Sequence, residues 1–411
     1  MFIRRFSHVY CSACVVAAIG MNASANAQTW SLEQLSREAL SSHPAVLSKR
    51  SAADAAQADV IAAEWQRYPT PAISTNTDNL GERYTQFSLQ QPIWAGGRIT
   101  AGIDSAASRY NASVKAIDET GQDILIKVVN AYIEAERWKT RQGVNVENTK
   151  QHERLLQMIS RRVEVEASPS VDKELAQSRL LQAKNDLSVA AQSLSNSFIQ
   201  LSQLAGGSVT STEPVAIDES LLLPSREAAI KQAMDNSPVL ARLTYEVKAA
   251  TADVSLKRSA YFPQLAVRYE KQKGFIQQGY SVSNDRVMLT LDVQLGAGLS
   301  SFAGVDSAKA RLAAAKQEYE IAARDLRQQV ALEWDDMVAS RARLANASKA
   351  SANSKEVFES YARQYTTGRK SWLDVMNSVR EASQSELTVA DAVAQLSAAS
   401  LRLMVLTGKF N

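Results

Sequence analysis

The sequence is written twice, so its fold must be assembled from two copies of one structural unit. "REALSSHPAVL" (Arg37–Leu47) matches "KQAMDNSPVLA" (Lys231–Ala241), which sets Pro44 against Pro238 at an offset of 194 residues. "RYPTPAIS" and "YFPQLAVR" keep that offset, with Pro69 against Pro263. From "WAGGRITAGIDSA" and "GAGLSSFAGVDSA" onward the offset is 202, pairing Asp104 with Asp306, Asp172 with Asp374 and Gly206 with Gly408. The second copy therefore carries eight extra residues between Pro263 and about Gly296. An insertion confined to one place predicts a surface loop. The repeat divides the chain into residues 28–215 and 216–411.

Each copy reads alike. A short helix comes first, over 31–42 or 225–236, and Ser31 with Gln34 spells a capping box. Pro44 or Pro238 then opens a helix of about 20 residues, because proline is tolerated in a first turn. Two extended runs follow, predicting β-hairpins at about 69–93 and 263–295. In "RVMLTLDVQL", Val287, Leu289, Leu291, Val293 and Leu295 share one face, and Arg286, Met288, Thr290, Asp292 and Gln294 the other. In "YTQFSLQQPI", Phe87, Leu89 and Ile93 oppose Gln86, Ser88 and Gln90. Period-2 alternation predicts strands with one apolar and one polar face. The turns fall on "DNLGER" and on the longer "GFIQQGYSVSND".

Runs of about 10 residues suit tilted strands that cross a membrane. A soluble hairpin with one face on a core has the same pattern. Arg268, Glu270, Arg286 and Asp292 would face a lumen in the first case and solvent in the second. Four strands cannot close a membrane barrel, and an open edge is forbidden in lipid. Spanning strands would have to come from several chains, eight from two copies or twelve from three.

Long helices follow each hairpin. Val114, Ile117, Gly121, Ile124, Val128, Ala131, Ala135 and Trp138 recur at alternating spacings of three and four, a coiled-coil stripe. Leu125, Val129 and Tyr132 form a second stripe beside it, so this helix needs a neighbour on each side. The stretch from Gly97 to Arg162 would span about 100 Å at 1.5 Å per residue, far more than a globular core requires. Each long helix breaks once, at about 163–172 ("VEVEASPSVDKE") and 365–374 ("QYTTGRKSWLDVMNS"). At the second break Gly368 suits a left-handed helix end, and Ser371 with Asp374 spells a capping box. At the first, Ser168 and Pro169 open the returning helix. Asp172 and Asp374 both favour a first turn through the helix dipole.

Composition narrows the function classes. Arg4 and Arg5, an apolar run from His8 to Met21 and Ala25-Asn26-Ala27 read as a signal peptide over 1–27. An uncleaved N-terminal anchor is the alternative. Cleavage takes the formal net charge from +3 to +1, a balance without the profile of a nucleic-acid binder. Cys11 and Cys14 both lie in this leader, leaving no thiol for a disulfide or metal site. No other segment approaches the roughly 18–20 apolar residues of a membrane helix. His43 and His152 lack ligand spacing and read as surface or cap residues. Gly96-Gly97 lacks the rest of a phosphate loop and reads as a hinge. No acid–base pair, nucleophile set or cofactor motif points to an enzyme.

The doubled order of short helix, x-P-x-L helix, Y-P, strands, double glycine and long helix resembles the TolC-type outer-membrane efflux and secretion channels. "QPIWAGGRITAGIDSA" resembles that family's end-of-hairpin signature, and "YTTGRKSWLDVMNS" its second helix–turn–helix tip. The resemblance covers the whole mature chain. It implies a mainly α protein with a membrane β-barrel contribution: duplicated coiled-coil repeats, two β-hairpins per chain, and a trimeric α/β barrel of twelve strands in the outer membrane. It also implies a homotrimer in outer-membrane lipid that extends into the periplasm. A periplasmic adaptor (membrane fusion) protein would join its tip to an inner-membrane ABC or proton-driven transporter. The function implied is a passive duct for type I protein secretion or small-molecule efflux, without a cofactor. Carried over by position, the gate at the tip would use Tyr365, Lys370 and a ring of Asp374, with Asp172 from the first tip. Two positions depart from the family: Asn377 stands where a second ring acid belongs, and Lys370 where arginine is usual. The first tip has Glu166-Ala167-Ser168-Pro169 where efflux members carry glycine, a composition closer to protein-export channels. Without the resemblance, a structural periplasmic or cell-surface coiled-coil protein that transports nothing also fits the helices.

Overall fold

The computed structural model describes residues 29–77, 83–215, 223–277, 280–293, 296–297 and 300–410. The expected leader, and Gln294 and Leu295 of the last extended run, lie outside them. Helices α1 (Leu32–Ser42) and α2 (Pro44–Trp65) lead into strands β1 (Thr70–Thr77) and β2 (Arg83–Trp94), then α3 (Arg98–Glu164) and α4 (Ser170–Ala205). The order then recurs as α5 (Arg226–Asn236), α6 (Pro238–Arg258), β3 (Gln264–Gln277), β4 (Tyr280–Asp292), α7 (Ser300–Thr366) and α8 (Trp372–Thr407). The protein is mostly helical, with one small antiparallel sheet.

Local chemistry sets these boundaries. Ser31 and Gln34 form the capping box of α1. Pro44 and Pro238 open α2 and α6, whose N-caps are His43, through Nδ1, and Ser237, through its hydroxyl. Gly206 and Gly408 end α4 and α8 in the left-handed conformation, at φ 68° and 72°.

The helices lie side by side in a layer. The C-terminal part of α3 packs between α4 and α8, and α7 packs on the far side of α8. Nearer the sheet the order is α2, α3, α6, α7. Helices α1 and α5 brace the middle, on α3 and α4 and on α7 and α8 respectively. Both predicted stripes of α3 meet here: Gly121, Ile124, Val128, Val129, Ala131, Tyr132 and Ala135 are buried. They pack with Leu35 of α1, Leu201 of α4 and Leu401, Met404 and Val405 of α8. The Tyr132 hydroxyl lies 2.8 Å from the Trp30 carbonyl and 2.7 Å from that of Glu213. It therefore pins the start of the described chain and the linker between the repeats to one helix. Burial, then the nearby Glu136 carboxylate, pushes that phenol well above its usual pKa.

Helix α8 is long and apolar enough by composition to cross a membrane, which the reading of the sequence did not anticipate. Half of its most apolar stretch is buried among α3, α5 and α7, as in the core helix of a packed layer. The eight-residue insertion also differs from expectation. It does not form a loop alone: β3 runs for 14 residues against 8 in β1, and strand continues through most of "GFIQQGYSVSND". Antiparallel pairing with β4 satisfies the added backbone groups, which a loop would have left to water.

Candidate functional site

Two regions concentrate the predicted functional residues. The first is the sheet, ordered β1-β2-β3-β4 with antiparallel pairing throughout. The register sorts its faces. Gln90, Arg268 and Met288 are cross-strand partners, as are Ser88, Glu270 and Arg286. The opposite face carries Leu89, Tyr269 and Val287 in one row and Ile73 beside Phe87 in another. That apolar face is uncovered: Val287, Leu289 and Leu291 are 71%, 67% and 66% exposed. On the polar face Glu270 is buried, at 5% exposure.

Arg286 donates to Glu270 at 2.6 and 2.9 Å, and Arg268 stands 3.7 Å from the same carboxylate. Arg268 is held in turn by Gln90, at 2.8 and 3.2 Å. Asp292 lies on the same face, paired across the strands with Gln264, and is exposed. All four predicted polar-face residues thus share one face, and three of them form one network. Gln90 belongs to that network, and only the β2–β3 register reveals it.

The second region is the tip, where α3 turns into α4 and α7 into α8. Tyr365, Trp372, Val375, Met376 and Val379 cluster with Leu155 and Ile159 of α3 and Ala176 of α4. Tyr365 is buried; its ring lies 5.2 Å from Trp372 and beneath the Arg162 guanidinium at 4.8 Å. Its hydroxyl is 3.4 Å from Ser168 Oγ. The Trp372 indole N–H donates to the backbone carbonyl of Asp172 at 3.1 Å, tying the second tip to the first. Lys370 Nζ sits 4.1 Å from the centre of the Tyr361 ring.

Asp374 accepts from the Ser371 hydroxyl at 2.8 Å and from its backbone N–H at 3.1 Å, and Ser371 Oγ accepts from Asp374 N–H, completing the capping box. These hydrogen bonds, with the Lys370 charge, hold the Asp374 carboxyl below its usual pKa. Within one chain, then, Tyr365, Lys370, Asp374 and Asp172 each have partners other than one another. Asn377 is exposed on the face of α8 opposite the cluster. Reasoning from the sequence missed Arg162, Trp372 and Tyr361, which reach the site from separate turns. It also placed Ser168 as a helix cap. Pro169, extended at ψ 149°, delays the helix to Ser170, so Ser168 faces Tyr365 instead.

His152, read as a surface or cap residue, is buried, and its Nδ1 has no hydrogen-bond partner among the described residues. It continues a polar row on α3. Asn145 donates to the Asp186 carbonyl of α4, and Thr149 lies 3.4 Å from that of Ala183. Burial, then the charge of Arg179, lowers the pKa of the imidazole.

A layer of long helices extended by an amphipathic sheet with a bare apolar face defines the architecture of outer-membrane channel subunits. The chain belongs to the outer membrane efflux protein family, whose model matches residues 35–207 and 229–409. Solved structures share the fold. The outer-membrane channel OprN is 18% identical with a TM-score of 0.82, covering 92% of this chain and 90% of that one. The outer membrane protein VceC from Vibrio cholerae is 15% identical with a TM-score of 0.78, covering 92% and 97%. The open state of the Neisseria gonorrhoeae MtrE outer membrane channel is 18% identical with a TM-score of 0.76, covering 92% and 89%. No curated protein matches the sequence.

Proposed function

We propose that three copies of this chain close into a passive export duct through the outer membrane and periplasm. The observation that carries this reading is the sheet: it exposes an apolar face and leaves β1 and β4 as open edges. In lipid every backbone group must be paired, so those edges require strands from other copies, and closure must be complete. Helix-layer edges point the same way. Leu181, Val189 and Ile199 on α4, and Ile321, Leu332 and Val338 on α7, are aliphatic side chains left exposed among the described residues. Residues 1–27 act as the secretion signal, and the two repeats each supply one hairpin and one tip. Arg268, Glu270, Arg286 and Asp292 line the lumen.

The tip is the periplasmic entrance. It is held by the cluster around Tyr365, with Lys370, Asp172 and a single ring of Asp374 about the three-fold axis. Asn377 removes the second ring, so the gate closes loosely. An adaptor docks here and joins the duct to an inner-membrane pump that supplies the energy. The chain itself carries out no chemistry. Glu166, with a left-handed φ of 57° where glycine is usual, keeps the first tip unlike that of efflux members and favours a protein cargo.

Membrane fractionation and planar bilayers test the duct. Heat-modifiable trimers in the outer membrane, with discrete conductance steps, are expected; native protein in a soluble periplasmic extract would sink the reading. A deletion strain separates the cargoes. Loss of a large secreted protein with unchanged drug and dye resistance assigns protein export, and the reverse assigns efflux.

A further inference from the structure

We propose that the far ends of β2 and β3 form a binding site for the phosphate groups of the anionic glycolipid in the outer leaflet, built from Arg83, Lys273 and Lys271. The inference rests on the membrane reading of the sheet given above. Register sets Lys273 opposite Thr85, and Lys271 opposite both Phe87 and Asp285. Two residues from Thr85 on the same strand, Arg83 shares that face. It is the face that carries Leu89, Val287 and Leu289.

The three cations are exposed at its outer end, beyond an edge-to-face pair of Phe87 and Tyr269 at 6.4 Å. Passing along the face away from the helices, one meets aliphatic residues, then aromatic rings, then positive charge. Each step of two residues is about 7 Å. A lipid monolayer has the same sequence of chains, interface and phosphates, so the order fits the depth of each group.

The backbone holds the cations together. Pairing is irregular between Gln272 and Phe275, and Gly274 there adopts φ 93°. A Cβ on Gly274 would lie 2.9 Å from the Arg83 carbonyl oxygen, so only glycine lets β3 approach β2 this closely. Lys271 is 3.4 Å from Asp285. Among the described residues neither Arg83 nor Lys273 has an acidic partner. The register makes Arg83 and Lys273 diagonal neighbours on one face; like charges so placed repel one another, and phosphate oxygens between them would relieve this through charge-assisted hydrogen bonds. Both strands lie in the middle of the sheet, so the site is complete within one chain.

The test uses the full-length assembly in neutral detergent, titrated with bis-phosphorylated outer-leaflet glycolipid and with its dephosphorylated form, and read by native mass spectrometry. Wild type is expected to bind the phosphorylated form about tenfold more tightly or better. An Arg83→Gln/Lys273→Gln double variant is expected to lose that preference, and an Arg83→Lys/Lys273→Arg double variant to keep it. Equal binding of both glycolipids by wild type, or an undiminished preference in the glutamine variant, overturns the site. Inorganic phosphate that raises the heat-dissociation temperature as far as the glycolipid does overturns the assignment to lipid. Wild-type conductance reads the duct separately. A conducting assembly without glycolipid preference removes this inference alone, whereas a chain that neither assembles nor conducts removes both.

Discussion

Glu166 and Gly368 stand 202 residues apart at the same place in the two tips, and both hold a left-handed backbone, at φ 57° and 74°. The hydrogen bonding around them is also the same. Ala167 N–H reaches back to the Arg162 carbonyl and Glu166 N–H to that of Val163; Arg369 N–H bonds Gln364 and Gly368 N–H bonds Tyr365. Both are Schellman endings, and only the second has the residue that such an ending favours. A side chain in this conformation costs roughly 1–2 kcal/mol, partly offset by the greater freedom that glycine loses on folding. Glu166→Gly should therefore stabilise the tip by about 1 kcal/mol, read as a higher thermal midpoint or slower proteolysis there. Gly368→Ala should destabilise it by a similar amount.

Trp372→Phe keeps most of the buried ring but loses the indole hydrogen bond to the Asp172 carbonyl. Hydrogen exchange at the tip should show a loss of about 1 kcal/mol, with both turns loosened together. Tyr365→Phe should do less to the link between the turns, because its hydroxyl contact with Ser168 is long, at 3.4 Å. A larger effect of Tyr365→Phe than of Trp372→Phe would place the link in the tyrosine instead.

His152 predicts a pH dependence. Its folded pKa is lowered by burial and by Arg179, so the unfolded chain takes up a proton first as the pH falls. The stability it permits is complete above the unfolded value of about 6.5 and is lost as the pH drops from there through the lowered folded value. His152→Leu should flatten that part of the curve for thermal unfolding against pH. An unchanged slope between pH 7 and pH 5 would exclude His152 as its source.

Asp374 acts in a lower window. Its pKa is depressed by the Ser371 hydroxyl and backbone N–H and by Lys370. The cap is therefore intact above the unfolded value of about 3.8 and fails as the pH falls through the folded one. Ser371→Ala and Asp374→Asn should each fray the start of α8, visible as faster amide exchange over its first turn. In bilayers, Asp374→Ala should abolish block by divalent cations if three carboxylates form the ring. An Asp374→Ala channel blocked like wild type would count against it.

Glu270 offers a test of the polar face. Glu270→Gln leaves Arg268 and Arg286 without their shared counter-ion, and Arg286 is itself half exposed to water. A cost of about 1–2 kcal/mol is expected after allowance for that screening. In a closed barrel the same change adds one positive charge per chain at the lumen. The reversal potential in a salt gradient should shift toward anion selectivity, and no shift would place Glu270 outside the conduction path.

Much of this was legible because it is local. Pro44 and Pro238, Gly206 and Gly408, and the Ser371–Asp374 box are read by the few residues around them, so their chemistry is visible in the string. The alternation of Val287, Leu289 and Leu291 likewise requires a two-faced strand. The insertion was misjudged because length alone does not tell loop from strand; pairing with β4 decided it. His152 was misjudged because nothing beside it in the sequence reports that α4 covers it.

By itself the sequence determined a duplicated, mainly helical chain with two amphipathic hairpins and two capped turns, since periodicity, caps and repeats act over a few residues. Tertiary structure alone decided which residues meet. The β2–β3 register sets Gln90 against Arg268 and Lys273 against Thr85, two residues from Arg83, although α3, α4, α5 and α6 intervene along the chain, and the β3–β4 register sets Arg286 against Glu270. The helix layer brings Arg162 over Tyr365 and the Asp172 carbonyl to Trp372. Such contacts depend on how whole elements pack, and packing energy belongs to pairs of surfaces that no single stretch of sequence contains.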